Sequence, residues 1–201
     1  MNTIRPSPSF QVEPGFRPEH RRSVAHGYWR AFSRKLRYPL GPQAKAIDFL
    51  ERVMNPSHAI SAVSQDGAFL GVAGFKTPDS AFVAGDYGDL LATYGWVSAA
   101  LRGLLIGVLE RDCTPGTLLM DGIFVEPDAR GQGIGKILLY EVEKRARSMQ
   151  LLRVRLDVID SNPRARALYE REGFIEQSVT SLGPLNLLFG FSSATEMVKS
   201  I

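Results

Sequence analysis

The stretch Leu118-Leu119-Met120-Asp121-Gly122-Ile123-Phe124-Val125, followed after Glu126-Pro127-Asp128-Ala129 by Arg130-Gly131-Gln132-Gly133-Ile134-Gly135-Lys136, decides how the chain reads. The first eight residues are a strand-length apolar run, the pattern of a buried strand. Beyond the glycines, Ile134 to Met149 reads as a helix. The loop between them carries small residues where side chains would otherwise shield backbone N–H groups. The first N–H groups of a helix have no internal partner, and the helix dipole adds partial positive charge there, so this strand–loop–helix junction is a cradle for a pyrophosphate.

Two common phosphate loops do not fit. A dinucleotide loop needs Gly-x-Gly-x-x-Gly with an acidic residue about twenty positions on, but the glycines here stand at 131, 133 and 135 and no such acid follows on a second parallel strand. A nucleoside-triphosphate loop needs four residues between its glycines and Ser or Thr after the lysine. Gly131 to Gly135 encloses three, and Lys136 precedes Ile137.

Downstream, Val154 to Ile159 reads as the next strand, and Pro163 to about Glu172 as a helix. Upstream, Ser9 to Glu13 reads as a short strand, Pro18 opens a helix to about Ser33, and a second helix spans Gln43 to Val53. Ala59 to Val63 and Ala68 to Phe75 flank Gln65-Asp66-Gly67, a strong signal for an antiparallel hairpin. From Phe75 to Leu118 the chain is too long for a loop, and Leu90, Tyr94, Val97, Leu101, Leu104 and Val108 recur at helical spacing, which predicts one inserted helix over about 89–110. Arg102 near its centre argues against a membrane span. Ala99, Gly103 and Gly107 form a small-residue face that suits close helix packing, within the fold or across a homodimer.

The pattern Arg130-x-x-Gly133-x-Gly135, placed after the strand that ends Ile123-Phe124-Val125, resembles the acyl-CoA pyrophosphate loop of the GNAT superfamily. The segment Asn162-Pro163-Arg164-Ala165-Arg166-Ala167-Leu168-Tyr169-Glu170-Arg171-Glu172-Gly173-Phe174 follows the next strand and resembles the second CoA motif of that family at the right separation. Together they cover about Ala59 to Phe174, with the insertion after Lys76 departing from the compact family core. The resemblance implies an α+β fold, a mixed and mainly antiparallel sheet flanked by helices and splayed between its two central strands. It implies acetyl-CoA as acyl donor, an amine acceptor, small molecule or peptide, and transfer by direct attack through a tetrahedral intermediate. In that reading Gly131, Gln132, Gly133, Ile134, Gly135 and Lys136, with Arg130, hold the pyrophosphate, while the backbone of Ile123, Phe124 and Val125 meets the pantetheine amides. Asn162 meets the pantetheine arm or an ordered water, and Arg166, like Arg164, reaches the 3′-phosphate or merely solvates its helix.

Tyr169 becomes the general acid that protonates the departing thiolate, its plain alternative being a core aromatic. An acceptor amine with a pKa near 10 is mostly protonated at neutral pH, so a base is needed. Asp121 is the acidic residue on the central strand and the favoured base, Asp157 on the following strand its rival. Backbone N–H groups around Ile123 and Phe124 would stabilise the oxyanion if the strand bulges next to Gly122. No metal is required. Two readings from other classes compete: a non-catalytic acyl-CoA-binding module, which needs neither Tyr169 nor a carboxylate, and an interaction protein built on the inserted helix.

Bulk properties agree with one enzyme-sized domain spanning 1–201. The chain has 201 residues, 44% hydrophobic and 22% charged, enough for one sizeable core. A formal charge of +3 and pI near 9.1 suit an anionic cofactor and fall short of a nucleic-acid-binding composition. Cys113 is the single cysteine, which excludes an internal disulfide and a Cys-based zinc cluster and points to the cytoplasm. Met1 to His20 has no continuous apolar core of the kind a signal peptide carries. The first helix gathers Arg17, Arg21, Arg22, Arg30, Arg34, Lys35 and Arg37 against Glu19, either an anion-binding face or, the favoured reading, a solvated one.

Overall fold

The computed structural model describes residues 10–201, so the first residue of the predicted opening strand, Ser9, lies outside the described part. Seven strands form one sheet in the order β1-β2-β3-β4-β5-β7-β6. They are β1 (Phe10–Pro14), β2 (Ala59–Ser64), β3 (Phe69–Lys76), β4 (Thr117–Val125), β5 (Arg153–Ile159), β6 (Ile175–Ser181) and β7 (Ser193–Ser200). Every neighbouring pair is antiparallel except β4 and β5. The hairpin expected around Asp66-Gly67 is β2–β3, with Gly67 at φ 90° closing the turn.

Helices cover both faces. On one face lie α1 (Arg21–Leu40), α2 (Gln43–Val53), α3 (Tyr87–Tyr94) and α4 (Trp96–Leu109). They bury Val24, Tyr28, Trp29, Phe49 and Leu50 with Phe82 and Phe124. On the other face α5 (Ile134–Ser148) buries Ile134, Leu138, Leu139 and Val142 against Leu118, Met120, Val154, Leu156 and Val158. The helix α6 (Pro163–Arg171) contributes Tyr169 to that second core, and the short α7 (Asn186–Phe189) brings Phe189 beside Phe191 under the end of α4.

Two predicted boundaries are corrected. The first helix does not stop near Ser33; a 3-10 turn at Pro18–His20 leads into α1, which runs to Leu40. The charged stretch after Ser33 disguised a continuing apolar stripe, for Leu36, Pro39 and Leu40 are all buried. The inserted helix is two helices, not one. Gly95, at φ 76°, takes a conformation that L side chains rarely adopt and breaks the run between α3 and α4. Asp86 and Asp89 form a capping box that starts α3. The small-residue face of α4 also divides: Ala99 is fully buried, a side chain at Gly103 would meet Leu90 and Tyr87 of α3, and Gly107 faces open space. Strands β6 and β7 and helix α7 complete the C-terminal half of the sheet beyond the segment whose pattern was legible.

The pairing of β4 sets up the site. It meets β5 only through Thr117, Leu118 and Leu119, opposite Arg153, Val154 and Arg155, while β5 stays paired with β7 to Ile159. The two central strands therefore splay apart past Leu119, and Met120 to Val125 present an edge with no ladder partner on that side. Among the described residues no helix is long and apolar enough to cross a membrane.

Candidate active site

The register of β3 against β4 pairs Gly74 with Gly122 and Phe75 with Met120, so Asp121 is the extra residue of a β-bulge. One inserted residue reverses which side chains face which layer. Leu118 and Met120 point into the α5 core, yet beyond the bulge it is Ile123 and Val125 that do so, while Phe124 joins the α1 core. The bulge falls next to Gly122, as the oxyanion argument requires.

Asp121 points to the α1 side. Its Oδ2 accepts a hydrogen bond from the Val83 backbone N–H at 3.1 Å. Burial pushes its carboxyl above the usual carboxylate range, partly offset by that hydrogen bond and by the charges of Lys35 and Lys76. Close approach of α1 to β4 creates this environment. A Cβ at Gly27 would stand 2.1 Å from the Phe124 ring, and one at Gly122 would stand 2.7 Å from Phe32, so both positions must stay glycine for the layers to meet. The approach brings Tyr28 and Lys35 over the bulge. Burial and the nearby Asp121 raise the Tyr28 phenol well above its ordinary value, and burial lowers Lys35 against the pull of Asp121 and Asp157.

The rival Asp157 lies on the same face of β5, since its neighbours Leu156 and Val158 point into the α5 core. It is engaged: Arg155 lies 3.5 Å and Arg111 3.9 Å from its carboxylate, and Arg155 also meets Glu196 at 3.1 Å. Asp121 takes part in no salt bridge among the described residues.

At the mouth of the splay, Arg130 lies exposed with its Nε donating to the Val125 carbonyl at 3.2 Å. Gly131 at φ 83° and Gly133 at φ 80° turn the loop, with open space where their side chains would be. The exposed Gln132 lies between them. Gly133 caps α5, whose first backbone bond runs from Ile137 N–H to the Gly133 carbonyl at 3.2 Å. The N–H groups of Ile134, Gly135 and Lys136 consequently have no backbone or side-chain partner among the described residues. Ile134 buries its side chain in the α5 core and thereby anchors the loop. A Cβ at Gly135 would sit 3.5 Å from Leu168, so α5 packs on α6 here. Lys136 pairs with Glu172 at 3.2 Å across the same junction.

In α6, Asn162 is the N-cap, its Oδ1 accepting from the Ala165 N–H at 3.2 Å. Arg166 pairs within α6 with Glu170 at 2.8 Å and reaches β6 and β7 through Glu176 at 2.6 Å and Thr195 at 3.3 Å. Tyr169 is 8% exposed, its ring centroid 5.9 Å from that of Phe174, and burial pushes its phenol up to about 12. Among the described residues the hydroxyl makes no hydrogen bond. A surface groove of 660 Å³ between β1, β2 and the far end of α5 is lined by none of these residues.

Tyr28 was not singled out from the sequence, and Lys35 was read there only as one charge of a solvated helix face. The available signal was spacing: Val24, Tyr28, Phe32, Lys35 and Pro39 lie on one helical stripe, and a lysine on an otherwise inward face marks a charge aimed at the interior. Most of its basic companions behave as expected of a surface, Arg17 pairing with Glu13 and Arg30 with Glu126.

Solved structures share this architecture. An N-acetyltransferase of Staphylococcus aureus superposes with a TM-score of 0.65 at 15% identity, covering 94% of this chain and 100% of its own. A GCN5-related N-acetyltransferase of Kribbella flavida gives 0.64 at 16% identity, covering 96% and 98%. An acetyltransferase of Agrobacterium fabrum is 35% identical over 105 residues, 52% of this chain and 71% of its own length. Residues 21–174, which hold the cradle, the bulge and α6, match the Acetyltransferase (GNAT) family. The chain is a member of the GNAT acetyltransferase family.

Proposed function

We propose that the protein is an acetyl-CoA-dependent N-acetyltransferase that moves acetyl to a primary amine by direct attack through a tetrahedral intermediate. The observation that carries this reading is the open edge of β4 beyond Leu119, with the unpartnered N–H groups of the α5 loop at its mouth. That arrangement fits a pyrophosphate at the loop and an extended amide-bearing arm along Ile123, Phe124 and Val125. Arg130 and Lys136 add positive charge, and Asn162 keeps its amide NH2 free to donate. Arg166, held by two carboxylates, serves to fix α6 in place.

Acetyl-CoA supplies the thioester acyl group and a thiolate leaving group. Asp121 removes the proton of the acceptor ammonium, its raised pKa bringing it closer to the operating pH of a base. Backbone N–H groups around Ile123 and Phe124 stabilise the oxyanion. Tyr169 faces the leaving sulfur with its proton retained. A phenol at about 12 stands roughly 3.5 pH units above an ordinary thiol, about 5 kcal/mol uphill for complete transfer to a free thiolate. Tyr169 therefore acts mainly by donating a hydrogen bond as charge grows on sulfur. The lone Cys113 fits a reducing compartment, the cytoplasm.

Trp96, Val97, Leu101 and Leu104 stand 61–78% exposed along α4, a surface that suits a homodimer contact. The deciding experiment for the activity is an amine panel with acetyl-CoA, read by thiol release. Binding of CoA without thiol release from any amine would favour a non-catalytic CoA-binding module.

A further inference from the structure

Besides Lys76 of β3, which acts on Asp121 and pairs with Glu110 at 3.0 Å, the face of the splay that looks toward α1 carries six ionic side chains: Lys35 from α1, Arg111 from the loop before β4, Asp121 from the bulge, Arg155 and Asp157 from β5, and Glu196 from β7. Four of them satisfy one another. Arg111 and Arg155 both reach Asp157, and Arg155 reaches Glu196. The remaining two, Lys35 and Asp121, form no ion pair with each other or with any described residue, although each lies in the field of the other. Lys35 Nζ sits 5.0 Å above the Phe32 ring, and that ring lies against the Gly122 backbone next to the bulge. Lys35 has no hydrogen-bond partner among the described residues, and the only one held by the Asp121 side chain is the Val83 N–H. A half-buried cation and a half-buried carboxylate, paired neither with each other nor with any other described residue, leave this face with one unmatched positive and one unmatched negative charge.

We propose that the acceptor is a small zwitterion, a free α-amino acid or a close analogue whose amine and acid group sit on neighbouring carbons, with its ammonium at Asp121 and its acid group at Lys35. This rests on the amine-transfer reading and adds the acceptor class to it. A group with both charges on adjacent carbons bridges Lys35 and Asp121 and satisfies both, whereas a plain amine leaves Lys35 unpaired and a plain acid leaves Asp121 so. The same placement presents the amine to its base. Asp121 takes one proton from the ammonium, the amine nitrogen bonds to the acetyl carbon, the C–S bond breaks, and the second proton of the nitrogen passes to the departing sulfur, which leaves as the thiol with Tyr169 hydrogen-bonded to it. The transfer is balanced by the acetyl-CoA donor alone. Lys35 is a specificity residue in this arrangement and takes no part in the chemistry.

The test is thiol release from acetyl-CoA with the common L-α-amino acids, each assayed beside its methyl ester and its decarboxylated amine. For the best amino acid, wild-type kcat/KM should exceed that of its ester and its amine by at least about tenfold, the value of one charge-assisted hydrogen bond. Lys35→Met should bring that ratio close to one, mainly by raising KM for the acid, and Lys35→Arg should restore part of it. The wild-type ratio needs no variant, so a poorly folding Lys35→Met does not weaken the test. Esters accepted as well as acids by wild type, or an unchanged ratio in a folded Lys35→Met, would overturn the zwitterion proposal and leave amine transfer intact. No thiol release with any amine would overturn both.

Discussion

Replacing Tyr169 with Phe tests the chemistry with little disturbance of the fold. The ring stays packed on Phe174, and the lost hydroxyl had no hydrogen-bond partner among the described residues, so stability should change by no more than about 0.5 kcal/mol. General acids contribute about 10²- to 10⁴-fold. Burial that lifts the phenol to about 12 makes it a weak acid and places its contribution at the lower end. A hydrogen bond to a developing thiolate is worth about 1.5–3 kcal/mol, which corresponds to a loss of roughly 10- to 150-fold in kcat. Steady-state thiol release should show that loss with KM for acetyl-CoA unchanged, and single-turnover acetyl transfer should show the same factor, separating chemistry from product release. Because the phenol keeps its proton until about pH 12, this residue should impose no basic limb on kcat around neutral pH. A raised KM with unchanged kcat would reduce Tyr169 to a cofactor contact, and an unchanged kcat and KM would refute the reasoning.

Asp121→Asn should lower kcat/KM by about a hundredfold and flatten the acidic limb of its pH profile, since the missing base is the group whose protonation shapes that limb; a retained limb would transfer the role to another group. With its folded pKa above the unfolded value, Asp121 favours the folded state below the ordinary carboxylate range, and that stability is lost as pH rises through the raised value, so melting of wild type relative to Asp121→Asn should worsen from acid toward neutral pH. Gly133→Ala must hold a side chain at φ 80° and should cost about 1–2 kcal/mol while raising KM for acetyl-CoA; Gly135→Ala, whose Cβ makes only ordinary contact with Leu168, should keep the melting temperature, and an unchanged KM in both would argue against the cradle. Trp96→Ser combined with Leu104→Ser should convert a sedimenting dimer to monomer, and a monomeric wild type would remove the α4 interface.

Local patterns carried a large share of the fold. The β2–β3 hairpin was legible because a turn needing positive φ must show its glycine, and Asp66-Gly67 does so. The loop that opens α5 was legible because Gly131, Gly133 and the buried Ile134 act over a few residues of chain, where loop conformation, helix start and anchor are all written side by side. The motif around Asn162 and Tyr169 made the start of α6 legible, with Asn162 as its N-cap and Tyr169 as its buried residue. The single inserted helix was misread because one glycine at position 95 does not declare from sequence whether it takes the left-handed conformation that breaks a helix.

What the sequence determined by itself is therefore the set of elements, the alternation that buries them, and the loop chemistry at the start of α5. The tertiary structure alone decided the splay of β4 from β5, the bulge at Asp121 that reverses which β4 side chains face each layer, and the placing of Lys35 in the field of Asp121 across more than eighty residues of chain. Periodicity reports which face of one element is apolar, but strand register and the distance between layers are set by packing of residues far apart in sequence, here by Gly27 against Phe124 and Phe32 against Gly122. A charge such as Lys35 therefore looked like part of a solvated face until the helix that carries it was laid against the sheet.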